Sequence, residues 1–122
     1  MSEIRLGAVE SKFADIIWNN EPLRPVELEK LAEAELNWKR TTTLTILKRL
    51  CERGIFQNKD RIITSLISRE EFYALQSEKF VNDTFEGSLP AFLTAFGSRK
   101  KLSDKEVEEL KKVIDREMSK TN

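Results

Sequence analysis

Apolar residues recur at helical intervals from the start of the chain. Leu6, Val9, Phe13, Ile16 and Ile17 fall on one face of a helix, with Glu10, Lys12 and Asp15 around the rest. Asn19-Asn20-Glu21-Pro22 breaks that pattern. Pro25 suits the first turn of a second helix, where its missing N–H costs nothing, and Leu28, Leu31 and Ala32 give that helix a narrow apolar stripe. A third helix is predicted from about Lys39 to Arg53, ending at Gly54, a residue suited to the left-handed position after a helix. Thr43, Ile46, Leu47 and Leu50 form its inner face; Thr41, Thr42, Leu44, Thr45, Lys48 and Arg49 form its outer face. Four threonines within five residues are a poor choice for a helix on propensity alone, so another requirement selects them.

After Gly54 the period changes. Ile55-Phe56-Gln57-Asn58 and Arg61-Ile62-Ile63-Thr64-Ser65-Leu66-Ile67 flank the polar break Lys59-Asp60 and predict a β-hairpin whose turn lacks glycine. Two capping-box patterns follow, Ser68-Arg69-Glu70-Glu71 and Ser103-Asp104-Lys105-Glu106, each marking a helix start. The first opens a helix through Phe72, Leu75, Phe80 and Val81 to about Phe85. Gly87-Ser88 separates it from another, Leu89 to about Gly97, with Pro90 tolerated in its first turn. The last helix carries Val107, Leu110, Ile114 and Met118 on one face, and Glu108 and Lys112 as a favourable pair four residues apart.

At 122 residues, with 34% charged and 39% hydrophobic side chains, the chain has the size and balance of a small globular protein. Lys plus Arg and Asp plus Glu are both 21, which excludes a uniformly basic nucleic-acid binder but not a locally basic one. The charges are in fact segregated. Residues 1–35 hold four basic and eight acidic side chains, residues 36–61 seven basic and two acidic, and residues 62–122 ten and eleven. The absence of His excludes histidine catalysis, ligation and pH switching, and the single Cys51 excludes an intrachain disulfide. No nucleophile motif, phosphate loop or metal cluster is present, so neither an enzyme nor a cofactor is expected. Met1 to Arg5 lead into no apolar targeting segment, and no run is long enough to span a bilayer, so the expectation is a cytoplasmic protein without membrane insertion.

Three helices followed by a hairpin is the order of a winged helix-turn-helix, whose third helix enters the DNA major groove. The fold class expected is therefore mainly α with a small β-hairpin: a winged helix-turn-helix over residues 1–67 and a helical dimerisation region over 68–122. Thr41, Thr42 and Thr45 offer hydroxyls to bases or phosphates and methyls to thymine; Lys39, Arg40, Lys48 and Arg49 suit phosphates, as do Lys59 and Arg61 at the wing tip. Leu44 either packs on the second helix or touches thymine methyls. On this reading the acidic first 35 residues face away from the DNA. Trp18 and Trp38 read as core rather than base-stacking residues, and Cys51 as a small buried hydrophobe. The competing reading is a winged-helix protein-interaction module, which has no need of basic residues concentrated on one helix and wing.

Glu10-x-x-Phe13-Ala14-x-Ile16-Ile17-Trp18, then Trp38, then Thr42-x-x-Thr45-x-Leu47-x-Arg49-Leu50-x-x-x-Gly54-Ile55, resembles the penicillinase repressors, a family that includes methicillin-resistance and copper-responsive repressors. The resemblance is strongest over residues 10–54 and continues as a helix pattern to about Met118, including the Leu102 to Leu110 run. It implies a homodimeric transcriptional repressor on a double-stranded, palindromic DNA operator, dimerised through C-terminal helices. Five of the seven Phe lie in residues 68–122, more than three short helices bury alone. The dimerisation set expected is Phe72, Phe80, Phe85, Leu89, Phe92, Leu93, Phe96, Val107, Leu110 and Ile114. In the β-lactam branch a membrane sensor triggers cleavage at an Asn-Phe bond; the matching position here is Ala95-Phe96, which leaves a regulatory protease or sensor open as a partner and makes Phe96 foremost an interface residue. The paired C-terminal cysteines of the copper branch are missing.

Overall fold

The computed structural model describes residues 6–120, so the reading of Met1 to Arg5 as leaderless lies outside the described residues. Its order is α1 (Ala8–Asn20), α2 (Pro25–Leu36), α3 (Arg40–Glu52), β1 (Phe56–Lys59), β2 (Ile62–Ser65), α4 (Arg69–Phe85), α5 (Leu89–Arg99) and α6 (Asp104–Lys120). The chain divides into two compact units, residues 1–79 and 80–122. The first unit takes in the first turns of α4, where Phe72 completes its core. Among the described residues no helix is long and apolar enough to cross a membrane.

In the first unit, the inward residues of α1 (Phe13, Ala14, Ile16, Ile17), α2 (Leu28, Ala32) and α3 (Thr43, Leu47, Leu50) meet Ile55, Phe56, Ile63 and Phe72 in one buried cluster. Each large apolar side chain so buried contributes about 1.5–3 kcal/mol before the entropy of ordering is subtracted. The predicted inner face of α1 is corrected at Val9, which is 50% exposed in the first turn. Phe72 is also corrected. It is 1% exposed and packs against Trp18 and Tyr73 at ring-centroid distances of 5.6 and 5.3 Å, so it has no surface to offer a second chain.

Trp18 ties three elements together. Its ring lies 5.1 Å from Phe56 of the hairpin and 6.1 Å from Tyr73 of α4, while its indole N–H donates to the Ile67 carbonyl at 3.1 Å. Burial of the ring is thus combined with satisfaction of its polar edge. Arg69 closes the same junction, bonding Asp15 at 2.8 Å with its guanidinium 4.9 Å from the Tyr73 ring.

The hairpin is antiparallel, in the register Phe56↔Ser65 to Lys59↔Ile62. Its turn residues are Asp60 and Arg61, both at positive φ (55° and 62°), the requirement of the tight turn whose twist matches paired strands. The break predicted at Lys59-Asp60 is therefore shifted by one residue, and Lys59 ends β1. Leu23 adds one bridge on the other edge, exchanging backbone bonds with Ile63 at 3.3 and 2.8 Å. The Glu21 carboxylate accepts from the Ser65 amide (2.7 Å) and hydroxyl (2.9 Å), anchoring the base of the wing to the segment between α1 and α2.

In the second unit, Ser88 caps α5 by accepting from the Ala91 amide at 3.0 Å. Ser103 and Glu106 form a reciprocal box at the start of α6, with bonds of 3.0 and 3.1 Å. Donation from the Ser103 backbone amide, with its side-chain hydroxyl second, holds the Glu106 carboxyl below its ordinary range. Phe80, Phe85, Phe92 and Phe96 form a chain of ring contacts at 5.6–6.2 Å, mostly edge to face. No residue of α5 or α6 is buried. On α6, Glu108 pairs with Lys111 at 3.6 Å, three residues on, rather than with the predicted Lys112.

Candidate nucleic-acid interface

The turn between α2 and α3 sets the exposed helix on its platform. Asn37 takes the left-handed conformation (φ 57°, ψ 36°), and the amides of Asn37 and Trp38 close on the carbonyls of Glu33 and Ala32 at 3.0 and 3.3 Å. Asn tolerates this conformation because its short polar side chain compensates locally. Trp38 then stacks against Phe13 at 4.9 Å, fixing the start of α3 to the core. At the other end Gly54 has φ +81°, and the amides of Gly54 and Ile55 satisfy the carbonyls of Cys51 and Leu50 at 3.0 and 3.2 Å.

The helix so held presents two unlike faces. Leu47 and Leu50 are buried, Ile46 packs at their edge, and Thr43 is fully buried with its hydroxyl donating to the Lys39 carbonyl at 3.2 Å. That bond removes the cost of an unsatisfied hydroxyl in the core. Thr41, Thr42, Thr45, Lys48 and Arg49 are exposed along the opposite face, Lys39 and Arg40 are exposed at its start, and Leu44 is half-buried. Lys59 and Arg61 are exposed at the wing tip. The structure thus places three hydroxyls and the cations Arg40, Lys48 and Arg49 on one accessible helix, with Lys39 at its cap.

Two carboxylates stand beside that surface. Glu29 of α2 pairs with Arg40 at 3.2 Å, and Glu10 of α1 pairs with Arg49 at 3.4 Å. The acidic first 35 residues therefore do not all face away from it, which corrects the sequence expectation. Sequence gave no signal for either pair, since the partners are 11 and 39 positions apart and meet only through packing. Lys39, Lys48, Lys59 and Arg61 make no ion pair among the described residues. Cys51 is half-buried, and desolvation, with Glu52 beside it, pushes its thiol above the ordinary value, as suits a packing residue rather than a reactive one.

The penicillinase repressor family model matches residues 6–116, nearly the whole chain. The chain belongs to the penicillinase repressor family. It is 24% identical over 115 residues to the methicillin resistance regulatory protein MecI of Staphylococcus aureus strain Mu50, covering 91% of this chain and 94% of that protein. It is 22% identical over 115 residues to the penicillinase repressor of Bacillus licheniformis, covering 91% and 90%. This repressor is accordingly a DNA-binding transcriptional regulator and not an enzyme.

Proposed function

We propose that this repressor acts in the cytoplasm as a homodimer, each winged unit placing α3 in the major groove of one half of a palindromic operator. The observation that carries the reading is the outward face of α3: Thr41, Thr42 and Thr45 stand exposed between cations, while the opposite face seals the core. In this arrangement the threonines and Leu44 meet base edges; Lys39, Arg40, Lys48, Arg49, Lys59 and Arg61 meet phosphates. Residues 80–122 supply the dimer contact. Phe80, Leu89, Phe96 and Ile114 are 38%, 53%, 42% and 51% exposed, an apolar surface that a second copy related by a twofold axis covers. Phe85, Phe92, Leu93, Val107 and Leu110 lie half-buried beside it. Phe96 serves this contact, 42% exposed and with its ring 6.2 Å from that of Phe92.

Selection of duplexes from random DNA by the purified protein, with stoichiometry measured on the winners, tests the reading. A palindrome holding two chains is expected. Lys48→Ala is expected to weaken binding to every sequence, and Thr45→Ala to alter preference at particular bases. No enrichment above weak, salt-sensitive binding would overturn it and direct attention to protein partners.

A further inference from the structure

The pairing of Arg40 and Arg49 bears on discrimination between DNA sequences. It rests on the reading of α3 as the DNA-contacting helix. The two arginines lie nine residues apart, about 14 Å along the axis, and so bracket the threonine face. Each is met by a carboxylate from a different helix. Both carboxylates are more enclosed than their partners: side-chain exposure is 23% for Glu10 against 49% for Arg49, and 19% for Glu29 against 75% for Arg40. Glu10 is itself fixed, because its Oε1 accepts from the Gly7 amide at 3.3 Å while its Oε2 faces Arg49. Glu10 thus links the cap of α1 to the far end of α3.

Non-specific attraction to DNA comes from cations that neutralise phosphates and release counterions, in whatever register. An arginine already held by a carboxylate contributes less to that attraction, because the carboxylate repels the approaching phosphate. Lys39, Lys48, Lys59 and Arg61, with no such partner among the described residues, supply the general attraction. We propose that Glu10 and Glu29 are specificity-determining positioning residues. Each holds its arginine at one end of α3 so that it engages a phosphate only when the helix is seated in register. Operator DNA then gains from both arginines at once, and other DNA gains little from either.

The test uses the full chain carrying Glu10→Gln or Glu29→Gln. Glutamine keeps the shape and, at position 10, an oxygen for the Gly7 amide. Affinity is measured by fluorescence anisotropy, over a salt series, for the selected operator and for a scrambled duplex of equal length. Each variant is expected to bind the scrambled duplex about two- to five-fold more tightly, the range set by a surface ion pair. Its salt slope on that duplex should steepen by up to about 0.9. The gain on the operator should be smaller, so the ratio of the two affinities falls, with the thermal midpoint unchanged. Equal gains on both duplexes, no gain on either, or a loss of affinity together with a lowered midpoint would each overturn the proposal. Arg40→Ala and Arg49→Ala separate the two levels of inference. If neither weakens binding to any DNA, the placement of α3 itself fails; if they weaken it while the glutamine variants change nothing, only the positioning role fails.

Discussion

The two units of this repressor differ in how they use apolar side chains. All the buried hydrophobic residues among those described, from Leu6 to Phe72, lie in residues 1–79. Residues 80–122 contain four phenylalanines in mutual contact and an amphipathic α6, yet none of their described side chains is buried. An open groove of about 330 Å³ in the second unit is walled by residues of α5 and α6, among them Phe92, Phe96, Leu110 and Val113, and by Leu102 between the helices, with Glu106 and Glu109 also in its lining. The first unit closes its core around α1 and the wing. The second leaves its aromatic surface open, and the proposed dimer predicts a stability for it that depends on chain concentration.

Truncation sharpens this contrast most. Phe13→Ala removes a fully buried ring from the first unit and is expected to cost about 3–5 kcal/mol, measured by denaturant unfolding at any protein concentration. An intermediate effect is expected from charging the second surface. Ile114→Glu places a carboxylate on a half-exposed apolar position and should shift sedimentation equilibrium from dimer toward monomer, weakening operator binding while leaving the first unit's near-UV signal intact. A Phe13→Ala loss that varied with chain concentration, or an Ile114→Glu protein still dimeric, would break the comparison.

The smallest effect concerns pH. The Glu106 carboxyl is held below its ordinary value of 4.5 by its bonds from Ser103. A lowered folded-state value means that the stabilisation is present above the ordinary carboxyl range and is lost as pH falls through the folded value. Amide protection in the first turn of α6, taken relative to the intrinsic exchange rate at each pH, should therefore fall in acid below the ordinary carboxyl range, and Glu106→Gln should flatten that response. The same loss of protection in the variant would count against the box as its source.

Much of the molecule follows from local pattern. The helix faces at Phe13, Ile16 and Ile17 and at Leu28 and Ala32, the stop at Gly54, and both serine caps match the structure, because period and capping chemistry act within a few residues. The turn at Asp60-Arg61 has no local signature, since two non-glycine residues at positive φ carry no glycine signal. Phe72 reads from sequence as an interface residue because an aromatic on an amphipathic helix looks the same whether it meets its own chain or another; its burial against Trp18 comes only from tertiary packing.

The sequence by itself determined the order of elements, the two-faced character of α3 and the concentration of cations on α3 and the wing. It did so because spacing, caps and charge are properties of neighbouring residues. Tertiary structure alone decided that α4 begins inside the first unit, that Glu21 clamps the wing, and that Glu10 and Glu29 stand against the arginines of α3. Those contacts join residues distant in the chain, and an ion pair's strength and meaning depend on a separation of a few ångströms that only packing sets.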